Sequence, residues 1–222
     1  MTTILYLLAL LITVSASFGV KAAYSKYKKE ENSNHLSGYD VARKILDYNG
    51  LNDVLILETT GELTDHYDPT KKVVKLSTEI YHGTSIASIA VAAHECGHAV
   101  QDKEGYMFLR LRAFIFPVVS LCSKLGYFVL LIGLLAGITD LIWLGIGSEV
   151  VILLFQLITL PVEFNASNRA LKLLLKLGLV SKSDKSGARV MLTAAAMTYV
   201  ASVINSLLQV VRLILIYGDR DR

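Results

Sequence analysis

The sequence contains few charged residues, few cysteines and few prolines. Charged side chains make up 18% of its 222 residues, whereas a soluble globular domain has about a quarter. The two cysteines, Cys96 and Cys122, show no pairing pattern, so we expect no disulfide framework and a reducing compartment. The net charge of +3 is small, and no lysine- and arginine-rich run alternates with aromatic residues. We therefore expect no nucleic-acid partner.

Hydrophobic residues are abundant instead. They make up 53% of the chain, and the mean hydropathy is +0.50, which indicates a protein of the lipid bilayer. Residues 3–20 carry no charge and are long enough to cross a membrane as a helix. Lysines follow this run, whereas in a cleaved signal peptide they would precede it. We predict that 1–21 is a transmembrane anchor with its N-terminus outside and the following segment in the cytoplasm.

The second half of the chain is mostly apolar. We predict a transmembrane helical hairpin over 113–162, turning between Gly137 and Ser148, because this length suits two membrane spans. Residues 163–189 are rich in lysine and arginine, which predicts a cytoplasmic segment. Residues 190–222 form a C-terminal apolar helix and a short tail. A polar stripe on this helix fits either an interfacial or bundle-packing helix or one that lines a polar cavity.

Residues 22–112 have a mixed polar and apolar pattern that predicts a small cytoplasmic α+β domain. Helical spacing and a terminal glycine predict a helix over 36–51. Two β-branched runs, 54–58 and 72–77, predict strands on either side of a turn-rich stretch. A second helix is predicted over 85–101, capped by Ser85 or Thr84.

The second helix carries the sequence HECGH. His94 and His98 are four residues apart, so a helix places both imidazoles on one face, where they can bind one zinc ion. Glu95 then lies next to the position of a zinc-activated water molecule, from which it can take a proton as general base. Two histidines and a glutamate simply packed into an apolar helix would be costly to bury without partners.

A catalytic zinc ion takes three protein ligands and leaves one position open. No third histidine follows His98 at the spacing that some zinc proteases use. Glu163, after Pro161, is a candidate. Its spacing alone fits a third ligand and an ordinary charge at a helix end equally well.

Three segments resemble the YugP-like family of membrane zinc metallopeptidases. They are LTDHYDPTKKVVKLS, SIASIAVAAHECGHAVQ and TLPVEFNASNRA, and the resemblance extends from about Ser37 to Ala170. It implies one zinc ion bound by His94, His98 and Glu163, with Glu95 as the general base.

The general plan is also similar to that of HtpX-like membrane proteases, whose site lies on the cytoplasmic side. Those proteins usually have an aspartate four residues after the third ligand. This chain has Ser167 there, so the partner of one ligating histidine is not identified by the resemblance.

Substrate contacts are less clearly indicated. The DHYDP motif fits a structured turn, or His66 or Tyr67 could donate a hydrogen bond to the oxyanion of a reacting carbonyl. Asn168 and Arg169 are further candidates for that role. The strand at 72–77 could hold an extended peptide if it lies at the edge of a sheet.

The sequence thus predicts a mainly α membrane protein with transmembrane helices and a small α+β zincin-like catalytic domain. We expect a zinc endopeptidase in the plasma membrane of a bacterium-like cell, with its site on the cytoplasmic face. Its partners would be the lipid bilayer and peptide or protein substrates, unfolded membrane proteins among them. The alternatives are a catalytically silent membrane zinc-binding scaffold or regulator and a secreted protease with a cleaved leader.

Overall fold

The computed structural model describes residues 2–218 and is mainly helical. The elements in chain order are α1 (Thr2–Tyr27), α2 (Gly38–Tyr48), β1 (Leu55–Thr59), β2 (His66–Asp68), β3 (Val73–Ser77), α3 (Thr78–His82), α4 (Ile86–Lys103), α5 (Met107–Ala136), α6 (Thr139–Lys176) and α7 (Lys185–Tyr217).

Four of the helices, α1, α5, α6 and α7, are long and apolar enough to cross a membrane. The predicted combination of membrane-length helices with a small sheet is therefore confirmed. The connection between α5 and α6 consists of residues 137–138, at the beginning of the interval predicted for the turn. By length and composition the C-terminal helix α7 also qualifies as a membrane span.

The two helices predicted in the polar part of the chain begin at side-chain caps. The Ser37 hydroxyl accepts a hydrogen bond from the Asp40 backbone, and the Asp40 carboxylate accepts one from the Ser37 backbone, so α2 begins with a capping box. The Ser85 hydroxyl accepts a hydrogen bond from the Ser88 backbone at the start of α4. Of the two predicted caps for that helix, Ser85 is therefore the one used.

The sheet has three strands in the order β1-β3-β2. β3 pairs in parallel with β1 and antiparallel with β2, so it is the central strand. The predicted role of 72–77 as a free edge for an extended peptide is therefore wrong. Sequence patterns show which residues form strands, but pairing between distant strands is decided by tertiary packing.

The strand β2 lies in the stretch for which only turns were predicted. Three residues are too few to show an alternating pattern, and their neighbours are turn formers. The turn itself is present immediately after them. The Asp68 carboxylate accepts hydrogen bonds from the backbone N–H groups of Thr70 and Lys71, and the chain then returns as β3.

The chain divides into two compact units. One comprises the described residues of Met1–Ser17, Arg110–Pro161 and Thr198–Arg222. The other comprises Phe18–Leu109 and Val162–Met197 and contains the sheet and α4.

The second unit has a contiguous apolar core. Side chains of α2, β3, α3 and α4 are fully buried in it, including Ile45, Leu76, Ile80 and Ile89. Burying each such side chain contributes roughly 1.5–3 kcal/mol, so this core holds α4 firmly in place.

Two helices of this unit, α4 and the later part of α6, pack in close backbone contact. A Cβ atom added to Gly97 would lie 2.7 Å from the carbonyl oxygen of Ala166 and 3.3 Å from its Cα atom. The obstacle is backbone, which cannot rotate away as a side chain can. Glycine at position 97 is therefore what permits this distance between the helices.

Replacing Gly97 with alanine should destabilise the protein by about 1–3 kcal/mol, the usual cost of overpacking. The melting temperature of the detergent-purified protein should fall accordingly. Gly147→Ala is the matched control, because Gly147 is also helical and a Cβ atom there would meet nothing within 4 Å. Equal melting temperatures for the two variants would contradict the close packing described here.

Candidate metal centre

The helix α4 presents two imidazoles to the same place. His94 and His98 lie one turn apart, with ring centroids 4.8 Å from each other. Their side chains are only 13% and 12% exposed. The surrounding α4 residues are small and buried, including Ala93, Cys96 and Ala99, so the helix backbone can pack closely against its neighbours.

The helix α6 brings a carboxylate to these imidazoles. The Oε2 atom of Glu163 lies 3.3 Å from Nε2 of His94 and 3.5 Å from Nε2 of His98. One ligand atom from each of the three residues lies within 4.8 Å of the others. Glu163 is 2% exposed, so its charge needs a partner in this place. The structure thus brings together the three side chains that the resemblance implied.

Charge at this site favours a cation. Burial lowers the pKa of His98, but the hydrogen bond to Glu163 and the charge of Glu95 outweigh burial and raise it above its ordinary value. Glu95, on α4, is itself 8% exposed. Two carboxylates beside two imidazoles therefore stabilise a positive charge, whether it is a proton or a metal ion.

Cys96 lies within the same turn of α4 but has a different environment. It is fully buried, and burial, with the nearby charge of Glu95, raises the pKa of its thiol. A buried thiol that resists ionisation is a poor nucleophile and metal ligand. Cys96 is therefore a small residue of the apolar core.

The outer nitrogen of each imidazole also has a partner. Nδ1 of His94 lies 3.2 Å from the Ser167 hydroxyl, and Nδ1 of His98 lies 3.0 Å from Oε1 of Gln101. Ser167 occupies the position where HtpX-like proteins usually have an aspartate. Gln101 was missed in the sequence, although its place three residues after His98 puts it on the same helix face.

Beyond Gln101 the polar contacts continue to the surface of this unit. The Gln101 amide donates hydrogen bonds to the Val162 carbonyl at 2.8 Å and to Oδ1 of Asn165 at 3.0 Å. Arg169 donates to the same Asn165 oxygen at 2.6 Å and forms an ion pair with Glu104 at 2.7 Å. These contacts connect the end of α4 to α6 around the two histidines.

The four candidate oxyanion donors differ in their exposure and their hydrogen-bond partners. His66 is exposed, and its Nδ1 atom lies 2.8 Å from the Thr64 carbonyl. The Tyr67 hydroxyl donates to the Asp102 carboxylate at 2.9 Å. Asn168 is exposed, and Arg169 has the contacts described above. A role for any of them on a reacting carbonyl stays a prediction.

The donor set fits zinc. Two imidazole nitrogens and one carboxylate oxygen are the protein ligands of a common class of catalytic zinc site, which leaves a fourth position open. Hydrogen bonds at both Nδ1 atoms leave the two Nε2 atoms for a metal ion that would replace their protons beside Glu163, as metal-ligating histidines require. The chemistry of these three residues therefore suits a resident zinc ion.

Comparison with known proteins places the chain in a family. A family model described as "Putative neutral zinc metallopeptidase" matches residues 2–218, and the chain belongs to this family. It is also 46% identical over 214 residues to the "Putative membrane protease YugP" of Bacillus subtilis (strain 168), and the match covers 96% of this chain and 95% of that protein. No solved structure matches it.

We expect each of the substitutions His94→Ala, His98→Ala and Glu163→Ala to abolish stoichiometric zinc binding, because only two protein ligands would remain. The loss of affinity should exceed the roughly 10–100-fold that removal of an outer hydrogen-bond partner costs. Elemental analysis of the purified protein should give one zinc ion per wild-type chain.

His82→Ala is the control for these variants. His82 lies on α3, is 64% exposed and lies 3.3 Å from Glu58. This variant should keep the zinc content of the wild type. Zinc retained in any of the three ligand variants at the wild-type level would show that the ion binds elsewhere.

Proposed function

We propose that the protein is an integral membrane zinc-dependent endopeptidase. The observation that carries this proposal is the approach of the ligand atoms of His94, His98 and Glu163 to within 4.8 Å of one another, with Glu95 on the same turn of α4. The family supports zinc and peptidase chemistry, and the name of the relative supports a membrane protease. The small α+β part would then be a zincin-like catalytic domain.

In this proposal each polar residue of the site has a defined role. His94, His98 and Glu163 hold the metal ion, which when bound supplies the Lewis acidity that makes a water molecule more acidic. Glu95 takes a proton from the attacking water as its oxygen bonds to the carbonyl carbon. The same carboxyl group then gives the proton to the amide nitrogen as the C–N bond breaks. One residue thus serves as base and later as acid.

The burial of the site limits what can enter it. The three ligand side chains are between 2% and 13% exposed, so a carbonyl group on the surface of a folded protein would not reach them. An extended, unfolded segment would reach these side chains. We therefore propose unfolded proteins, including those of the membrane, as substrates. A protease with this preference depends on the state of its substrate more than on its sequence.

We further propose that the site lies on the cytoplasmic face of the plasma membrane. Lysines follow the first apolar run, and lysine and arginine residues are frequent in 163–189, whereas none occurs in 125–168. By the positive-inside rule the two basic segments belong in the cytoplasm and the connection at residues 137–138 belongs outside. The second basic segment begins at Glu163, and the first begins the polar stretch 22–112 that contains His94 and His98.

This orientation can be tested with single cysteines in a chain in which Cys96 and Cys122 are replaced by alanine. A membrane-impermeant maleimide added to intact cells should label Ile138→Cys, because Ile138 is exposed and lies in the connection proposed to be outside. Glu62→Cys, in the exposed loop before β2, should be labelled only after the membrane is permeabilised. The reverse pattern would place the site outside the cell.

The catalytic role of Glu95 predicts that Glu95→Gln binds zinc like the wild type but cleaves a pool of unstructured peptides at least about 100-fold more slowly, since general base catalysis contributes about 10²–10⁴-fold. Peptide cleavage should be followed by mass spectrometry, with zinc content measured on the same samples.

The other outcomes separate the alternatives. Zinc binding without cleavage by the wild type would favour the catalytically silent scaffold. Equal cleavage by the wild type and Glu95→Gln would show that Glu95 is not the base or that a contaminant is active. A shortened N-terminus in the purified protein would favour a cleaved leader.

A further inference from the structure

Gln101 is a fully buried amide at the edge of the candidate metal centre. Its side chain has no exposed surface, and it lies on α4 one turn after His98. A buried amide destabilises the fold wherever one of its polar groups is left without a partner. Here both ends of the amide have partners, and those partners determine which way it points.

The orientation of the Gln101 amide group is determined by a backbone carbonyl. The nitrogen of Gln101 lies 2.8 Å from the oxygen of Val162, and a carbonyl oxygen can only accept a hydrogen bond. The amide NH₂ group must therefore face α6, which leaves the amide oxygen facing Nδ1 of His98 at 3.0 Å. The reverse orientation would bring two acceptors together.

The amide oxygen in turn determines the tautomer of His98. Because this oxygen can only accept, Nδ1 must carry the hydrogen, and the lone pair of a neutral imidazole is then on Nε2. Nε2 is the atom that faces Glu163 at 3.5 Å, and because the carboxylate oxygen also can only accept, a proton or a metal ion must lie on this side of the ring. The carbonyl that orients Gln101 belongs to Val162, the residue next to Glu163. The Gln101 side chain therefore connects His98 to the backbone beside Glu163.

His94 has a different kind of partner. The Ser167 hydroxyl at its Nδ1 atom can either donate or accept a hydrogen bond, so it is compatible with both tautomers of the imidazole. Of the two histidines, His98 is therefore the one whose Nδ1 hydrogen is imposed by its surroundings.

We propose that Gln101 is a positioning residue that holds His98 in the Nδ1–H tautomer, with Nε2 free to bind the metal ion. This inference rests on the proposed function in one respect, namely that His98 is a zinc ligand. The contact between Gln101 and His98 does not depend on peptide cleavage.

The test compares two substitutions of similar length in the full-length, detergent-purified protein. Gln101→Met removes both hydrogen bonds. Gln101→Glu removes the donor to Val162 but keeps an oxygen that accepts from Nδ1–H of His98. Both variants should melt at a lower temperature than the wild type in the absence of zinc. Zinc affinity, measured by competition with a chelating dye, should fall about 10–100-fold in Gln101→Met and stay within about threefold of the wild type in Gln101→Glu.

Asn32→Leu is the control for loss of a buried amide. Asn32 is also fully buried and forms hydrogen bonds with the backbone at Leu36 and Thr84. None of these contacts involves His94 or His98. Asn32→Leu should lower the melting temperature without changing zinc affinity. If Gln101 served only to connect α4 and α6, zinc affinity would follow the melting temperature in both Gln101 variants, and the positioning role would be refuted.

A second measurement does not require any Gln101 variant to fold. Nitrogen-15 spectra of histidine-labelled, zinc-free wild type, recorded at increasing pH until the His98 ring keeps only one nitrogen-bound hydrogen, report which ring nitrogen carries it. The His98 signals are those that disappear in His98→Asn. A protonated Nδ1 supports the proposal and a protonated Nε2 overturns it.

The two sets of results separate this inference from the proposed function. If the wild type binds zinc and cleaves peptides through Glu95 but Gln101→Met keeps full zinc affinity, the positioning role fails and the peptidase stands. If the wild type binds no zinc, the proposed function fails, and the spectra still decide whether Gln101 sets the tautomer.

Discussion

One carboxylate oxygen organises the candidate site. Oε2 of Glu163 lies close to Nε2 of both His94 and His98, and its side chain is almost entirely withdrawn from solvent. A buried carboxylate without a counter-charge is strongly destabilising, so the later part of α6 can occupy this place only while the imidazoles, or a cation held between all three groups, face it. Gly97 and the amide of Gln101 both contribute to the close packing of α4 against α6.

Local features of the site could be predicted from the sequence. The i, i+4 spacing of His94 and His98 and the cap at Ser85 involve residues within one helix, where geometry follows directly from helical periodicity. The long apolar runs predicted membrane-length helices because the length of an uncharged run is also a local property of the sequence. The ranges of α2, β1 and β3 were predicted to within a few residues, because each has a clear hydrophobic pattern or end signal.

Features that depend on distant pairing could not be predicted in this way. Spacing alone did not distinguish Glu163 from a surface charge, and the resemblance to a family was needed to select it. The central position of β3 depends on both β1 and β2, of which β2 is too short to recognise. A glutamine at a helix end usually lies at the surface, so nothing in the sequence marked Gln101 as buried. Its role follows from the carbonyl of Val162, 61 residues away.

The separation of the metal ligands along the chain has a consequence for biosynthesis. Glu163 follows His94 by 69 residues, and α5 and much of α6 lie between them. At a translation rate of roughly 5–20 residues per second, the third ligand is made roughly 3–14 s after the first. During that interval the nascent polypeptide has only two of the three proposed metal ligands. A chain that ends before residue 163 therefore carries His94 and His98 without the carboxylate that the proposed zinc site needs.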